Sequence, residues 1–180
     1  MYKRQLLNEL VPDKVPLDLL HSILRLLLAE QVSIRNLPLI LEAIAESRGS
    51  TTQPELICEH VRQRLGFQLI ADMKRVDGTL PLIQLSGEWE DIFLKFQIGG
   101  DGNLPEIALP PDEFNALAKS VGEKVASASE KGTFPAIVTS AMRRRYLRTV
   151  LTARGIPNPV LSFEEIGLEA KPALVGLAAP

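Results

Sequence analysis

The sequence predicts an α plus α/β chain: a helical subdomain, residues 1–78, followed by a small α/β subdomain, residues 79–180. Three observations predict it. Apolar residues recur at helical spacing up to Met73, a turn signal stands at Asp77-Gly78, and beyond it short apolar runs separated by Gly and Pro alternate with new helical stripes. Strands alternating with helices imply at least some parallel pairing.

The first helix is expected from about Pro16 to Glu30. Leu20, Ile23, Leu24, Leu27 and Leu28 make its stripe, and Pro16 suits a first turn, where its missing N–H has no intrahelical partner. A second stripe of Leu37, Ile40, Leu41 and Ile44 runs to Gly49. Ser33 or Asn36 can cap it, and Pro38 favours Asn36. Thr52 with Glu55 forms a capping-box pattern ahead of Ile57, Val61 and Leu65, and Gly66 weakens or ends that third helix.

After the turn, Thr79 to Leu85 reads as a strand. Glu88 to Gln97 fits either period, but Ser86 as a cap and the acids Glu88, Glu90 and Asp91 near a positive dipole end favour a helix. Gly99 to Gly102 form a loop, and Glu106 to Leu109 a short strand. Pro111-Asp112-Glu113 opens a helix with the stripe Phe114, Leu117, Ala118, Val121 and Val125, ending near Gly132. Phe134 to Thr139 has strand length. Ser140 caps a helix whose inward stripe is expected to be Met142, Tyr146 and Val150 or Leu151, with Gly155 as the stop, and Val160 to Phe163 and Ala173 to Leu177 are further strands.

Composition bounds the function. The 46% hydrophobic residues of this 180-residue chain supply a core without staples, and the single cysteine, Cys58, rules out an internal disulfide framework and fits a reducing compartment. The most apolar run, Leu17 to Ala29, is interrupted by Asp18, His21 and Arg25 and is too short to span a bilayer. The N-terminus lacks the apolar run and cleavage site of a secretory signal. A formal charge of −2 gives no general attraction to nucleic acid or anionic lipid, so proteins are the expected partners.

No constellation points to catalysis. Cys58 and His60 are two apart on a helix and face different ways, and with His21 they give too few ligands for structural zinc. There is no Cys-x-x-Cys or Gly-x-Ser-x-Gly, the loop from Gly99 lacks the Lys-Ser/Thr of a phosphate site, and Glu164 and Glu165 on a strand would face opposite sides. No cofactor is expected. The cluster Arg143-Arg144-Arg145 with Arg148 and Arg154 lies on one helix, where Arg144, Arg145 and Arg148 should share the wetter faces. It reads as a solvated face or as a surface for an acidic protein partner, with Glu164, Glu165 or Glu169 available to neutralise it within the chain.

Three stretches resemble one family, the export-gate proteins of flagellar and virulence type III secretion systems. They are Leu24-x-x-Leu-Leu-x-Glu-x-Val-Ser-Ile-Arg-Asn-Leu-Pro-Leu-Ile-Leu-Glu-Ala-Ile, Pro54-Glu-Leu-Ile-x-Glu-His-Val-Arg-Gln-x-Leu, and Pro159-Val-Leu-Ser-Phe-Glu-Glu-Ile. They occur in family order over nearly the whole chain. The resemblance implies the third and fourth cytosolic subdomains of such a gate, in a chain tethered to the cytoplasmic face of the bacterial inner membrane only through an N-terminal region absent here. It further implies a non-enzymatic, homo-oligomeric ring that docks export substrates, chaperones and other export-apparatus proteins. The second and third stretches favour a flagellar gate over a virulence one. Within this reading Arg35 either holds its turn, through nearby carbonyls, Glu30 or Glu42, or takes part in subunit contact, and Arg144, Arg145 and Arg148 are partner-binding candidates. The competing classes are a helix-turn-helix DNA-binding module, with Arg35, Arg62 and Arg64 as its basic residues, and a small α/β enzyme.

Overall fold

The computed structural model describes residues 11, 13–99, 106–167 and 170–180. The chain divides into two compact units, residues 1–69 and 70–180. The expected boundary at Asp77-Gly78 lies a few residues further on, because Ile70 and Met73 pack with the apolar residues of the second unit.

In the first unit, α1 (Leu17–Ala29), α2 (Leu37–Ser47) and α3 (Pro54–Arg64) bury Ile23, Leu27, Ile40, Leu41, Ile44, Ile57, Cys58 and Val61 in one cluster. These residues keep i, i+3 and i+4 spacing, but the expected stripe is corrected at its edges: Leu28 is exposed, and Leu20, Leu24 and Leu37 are only partly buried against the core. A short helix, α4 (Gly66–Ala71), follows at the glycine expected to end α3. Asn36 occupies the residue before α2, with Pro38 in its first turn, but its side chain makes no capping hydrogen bond. The capping box of Thr52 and Glu55 does not form. Gln53 is the residue that precedes α3, and the Gln53 N–H donates instead to Thr51 Oγ1 at 3.2 Å, so the chain enters the helix one residue later than the pattern implied.

The α1 helix ends in a Schellman arrangement: Gln31 N–H donates to Leu28 O at 2.9 Å and Val32 N–H to Leu27 O at 2.9 Å. Gln31 takes the left-handed conformation there, with φ of 60°.

The second unit holds a parallel sheet in the order β5-β4-β1-β6, made of β1 (Thr79–Leu85), β4 (Ala136–Thr139), β5 (Val160–Ser162) and β6 (Lys171–Ala178). Between β1 and β4 come α5 (Gly87–Lys95), the antiparallel pair β2 (Gln97–Ile98) and β3 (Glu106–Ile107), and α6 (Pro111–Glu130). The helix α7 (Ala141–Ala153) links β4 to β5. The glycine loop beyond Gly99 falls outside the described residues. Pro81 is tolerated in an inner strand because pairing with β4 begins only at Leu82.

All three helices cover one face of the sheet. Trp89 and Phe93 of α5, Leu117 and Val121 of α6, and Leu147, Val150 and Leu151 of α7 pack with Ile83, Leu85, Ile137 and Val160. The opposite face, Leu80, Leu82, Ala136, Val138 and Leu161, is covered by Ile70, Met73, Ile166 and Ala170. The last two lie on the link from β5 to β6, which joins the two edges of the sheet. Beside that link a groove of about 350 Å³ stays open over Leu82, Gln84 and Val138.

Several expectations are corrected. Ser86 and Ser140 stand at the starts of α5 and α7 without side-chain capping bonds. The strand expected from Phe134 begins at Ala136, and Phe134 is exposed. Glu164 and Glu165 are not on a strand: Phe163–Glu165 is a 3₁₀ turn closed by a capping box, in which Ser162 N–H donates to Glu165 Oε2 at 2.8 Å and Glu165 N–H to Ser162 Oγ at 3.3 Å. This turn starts the chain across the sheet and buries Glu165.

Candidate functional site

The helix α7 begins with its arginines in its first turn, where the positive end of the helix dipole disfavours cations. Arg143 is fully buried nonetheless. Its Nε and Nη2 donate to Glu90 Oε1 on α5, both at 2.9 Å, its Nη1 and Nη2 lie 3.4 Å from Gln97 Oε1 on β2, and its guanidinium carbon sits 5.8 Å from the Phe93 ring centre. One side chain thus ties α7 to α5 and to the β2–β3 pair. Tyr146 meets Phe93 edge-on, at 5.9 Å between ring centres, and burial pushes its hydroxyl above the usual phenol range, against a hydrogen bond with the Leu109 backbone.

The expected inward stripe of Met142, Tyr146 and Val150 or Leu151 is corrected in part: Val150 and Leu151 are buried and Tyr146 packs partly buried against the core, but Met142 does not face inward. The buried stripe is Arg143 and Arg144, Leu147, then Val150 and Leu151, about one residue round the helix, and Met142 is exposed. Arg144, expected on a wet face, is 0% exposed and engaged within the protein. Arg148 is half-buried, and its Nη1 donates to Asn158 O at 3.0 Å; Asn158 in turn donates from Nδ2 to Pro135 O at 2.8 Å, so α7 is pinned to the loops beside β4 and β5. Arg154 stacks on Phe114, with 5.1 Å to the ring centre. Arg145 is half-buried, and its guanidinium makes no hydrogen bond or ion pair among the described residues. Of the acids expected nearby, Glu164 is exposed, Glu165 is buried in its turn, and Glu169 lies outside the described residues.

On the first unit Arg35 is exposed. Its backbone N–H reaches Ser33 Oγ at 3.5 Å, while its guanidinium makes no bond among the described residues, so the turn is not held by Arg35. Gln68 does part of that work, donating to Ser33 O at 2.8 Å. Glu30 is occupied by Arg62 at 3.2 Å, a pair whose arginine is nearly buried. Arg64 and His60 both reach Glu46, at 3.0 and 3.3 Å. Two of the three arginines offered for DNA contact are therefore spent inside the unit. Sequence reasoning missed the pairs Arg143–Glu90 and Arg62–Glu30, whose partners are 53 and 32 residues apart. For Arg143 the available signal was an arginine in a first helical turn against the dipole; Arg62, in the last turn of α3, gave none. Among the described residues no group of His, Cys, Asp and Glu could hold a metal ion, and no helix is long and apolar enough to cross a membrane.

The sequence model of the FHIPEP family matches residues 2–171. The chain belongs to the FHIPEP family. Among curated relatives, this FHIPEP chain is 34% identical over 175 residues to the flagellar biosynthesis protein FlhA of Caulobacter vibrioides, which covers 97% of the chain and 25% of that protein. It thus spans about a quarter of the length of that relative. Among solved structures, the Chlamydia pneumoniae CdsV protein in its complex with CdsO is similar at 25% identity and a TM-score of 0.83, over 97% of this chain and 51% of that one. The nonameric EscV cytosolic domain from the type III secretion system shares the fold, with a TM-score of 0.79 at 24% identity, over 98% of this chain and 52% of that one. The FHIPEP fold accounts for the α plus α/β architecture.

Proposed function

We propose that this chain is a cytosolic portion of a type III protein-export gate, acting by docking and ring assembly rather than by catalysis. The observation that carries the reading is the family match over residues 2–171, supported by likeness to a flagellar biosynthesis protein and to a cytosolic domain from a type III secretion system. The helical unit then corresponds to the third cytosolic subdomain and the α/β unit to the fourth, at the cytoplasmic face of a bacterial inner membrane. The flagellar relative at 34% identity favours a flagellar gate. The nonameric EscV domain and the CdsV–CdsO complex support self-association and export-apparatus partners.

Within this reading the four arginines divide by placement. Arg35, exposed with a free guanidinium among the described residues, serves subunit contact, and Arg145 offers the available charge of α7 to a partner. Arg144 and Arg148 hold α7 in position. Deletion of the gene segment encoding residues 11–180 should abolish secretion of flagellar proteins and motility with growth unchanged. Intact secretion in that strain would overturn the gate reading. With the gate intact, Arg35→Glu should impair ring assembly, read by cross-linking, without lowering the melting temperature, whereas Arg144→Met should lower the melting temperature.

A further inference from the structure

The turn that leads into β1 carries Asp77-Gly78, a pair with a chemistry of its own. Attack of the Gly78 backbone nitrogen on Asp77 Cγ forms a C–N bond and breaks a C–O bond. The carboxyl hydroxyl leaves with the amide proton as water, and a cyclic succinimide remains. Water then opens the ring at its other carbonyl and yields isoaspartate, with the main chain routed through the former side chain of Asp77. A Cβ on the second residue hinders the attack, so glycine there favours it. Asp77 is exposed, Gly78 takes a left-handed φ of 78°, and beyond its chain neighbours no atom of the described residues lies within 4 Å of where a Cβ would stand.

The bonds of the turn oppose each requirement of that reaction. The nucleophile is engaged, because Gly78 N–H donates to Arg75 O at 2.9 Å. The electrophile is pinned, because Asp77 Oδ1 accepts from the Thr79 hydroxyl at 2.6 Å and from the Thr79 N–H at 2.9 Å. A carboxyl loses water only in its protonated form, and the same two bonds favour the ionised one, holding Asp77 below its ordinary value. Arg75 N–H closes the turn on Thr79 O at 2.8 Å, and Arg75 Nη2 ties it to the link between α6 and β4 by donating to Thr133 Oγ1 at 2.9 Å.

We infer that Asp77-Gly78 is a site of succinimide and isoaspartate formation, and that Thr79 protects it by holding the Asp77 carboxyl away from the reaction. Isoaspartate would add one methylene to the main chain between Arg75 and Thr79. The Arg75–Thr79 closure would then be lost, the Arg75–Thr133 bond with it, and the entries to both β1 and β4 would loosen. The site belongs to the turn alone and does not depend on the export-gate reading.

The test ages the 180-residue chain at neutral pH, folded and in urea. Isoaspartate at position 77 is followed by proteolytic mapping with mass spectrometry, and methyl uptake from an isoaspartyl methyltransferase gives a second count. The unfolded chain should isomerise at least about tenfold faster than the folded one, and Thr79→Val should raise the folded rate about tenfold, the effect of losing one hydrogen bond to a charged group. Thr79→Ser keeps the hydroxyl and should keep the slow rate. The sequence holds a second such pair, Asp101-Gly102, as an internal reference: its rate in the folded chain should be the same in the parent and both variants, which separates loss of this protection from a general loosening of the fold. A folded chain that isomerises at Asp77 as fast as the unfolded one would overturn the proposal, as would a Thr79→Val rate equal to the parent's or a rise matched at Asp101. A slower rate in Thr79→Val would overturn it too, because the hydroxyl would then activate the carboxyl rather than protect it.

Discussion

A buried arginine and a half-exposed carboxylate do not share their ion pair equally. Arg143 has almost no contact with water, whereas Glu90 keeps 47% of its side chain exposed. Removing Glu90 strands a buried cation; removing Arg143 leaves a carboxylate that water can solvate. Glu90→Ala is therefore expected to cost about 3 kcal/mol, and Arg143→Met about 1 kcal/mol, the methionine refilling part of the space beside Phe93. Denaturant unfolding of the two variants checks the order, which a symmetric pair would not give. A different asymmetry acts at Asp77. Its Oδ1 accepts from the Thr79 hydroxyl at 2.6 Å and from the Thr79 N–H at 2.9 Å, and these bonds, the hydroxyl foremost, hold its carboxyl below the usual range of 3.8. A depressed acid stabilises the fold above its unfolded value, and that contribution is lost as pH falls through the folded value. Thr79→Val should raise the Asp77 pKa, seen by NMR titration, and shrink the acid-side loss of stability. None of this is visible in sequence beyond the Asp-Gly turn itself. The bonds to Thr79 are local, but the arginine pair reaches across three elements.

Helix ends explain why elements were more legible than their chemistry. Gly132 and Gly155, read as stops, end α6 and α7 in the left-handed conformation, with Thr133 N–H and Ile156 N–H reaching back to Ala128 O and Leu151 O. Gln31 closes α1 in the same way without being a glycine, so no residue announced it. Gln31→Gly should stabilise the chain by about 1 kcal/mol, measured as a rise in melting temperature, because the side chain strains a left-handed position. An unchanged or lower value would mean that Gln31 is held by something besides its backbone. Helix starts show the reverse: Asn36, Ser86 and Ser140 stand where capping residues belong, yet none caps. The capping box that does form, Ser162 with Glu165, was written in the sequence as Ser-x-x-Glu but hidden by the strand-like run before it. The stripe of α7 was met only in part, for a physical reason. A helix with paired arginines inside departs from apolar periodicity, so Met142 and Tyr146 drew the inward face away from Leu147.

The division of the chain has a measurable edge. Residues 70–78 precede the sheet, but Ile70 and Met73 lie against Leu80 and Leu82. A chain beginning at Thr79, where the hydrophobic period changes, should be less stable than one beginning at Ile70 by about 2–4 kcal/mol, the burial of two large apolar side chains. Equal stability of the two truncations, in urea, would put the edge of the unit back at Asp77-Gly78. The pairing of β6 with β1 bears on how this unit is made. The first strand of the sheet, flanked early by β4 on one side, waits for the last strand on the other, 92 residues later from Thr79 to Lys171. During synthesis β1 must therefore remain an open edge until residue 178 has left the ribosome, a long-range closure that is slow and exposed to aggregation. A message truncated anywhere before Lys171 yields not a shortened sheet but an unfinished one, and such chains should accumulate with chaperones or proteases rather than as a folded remnant.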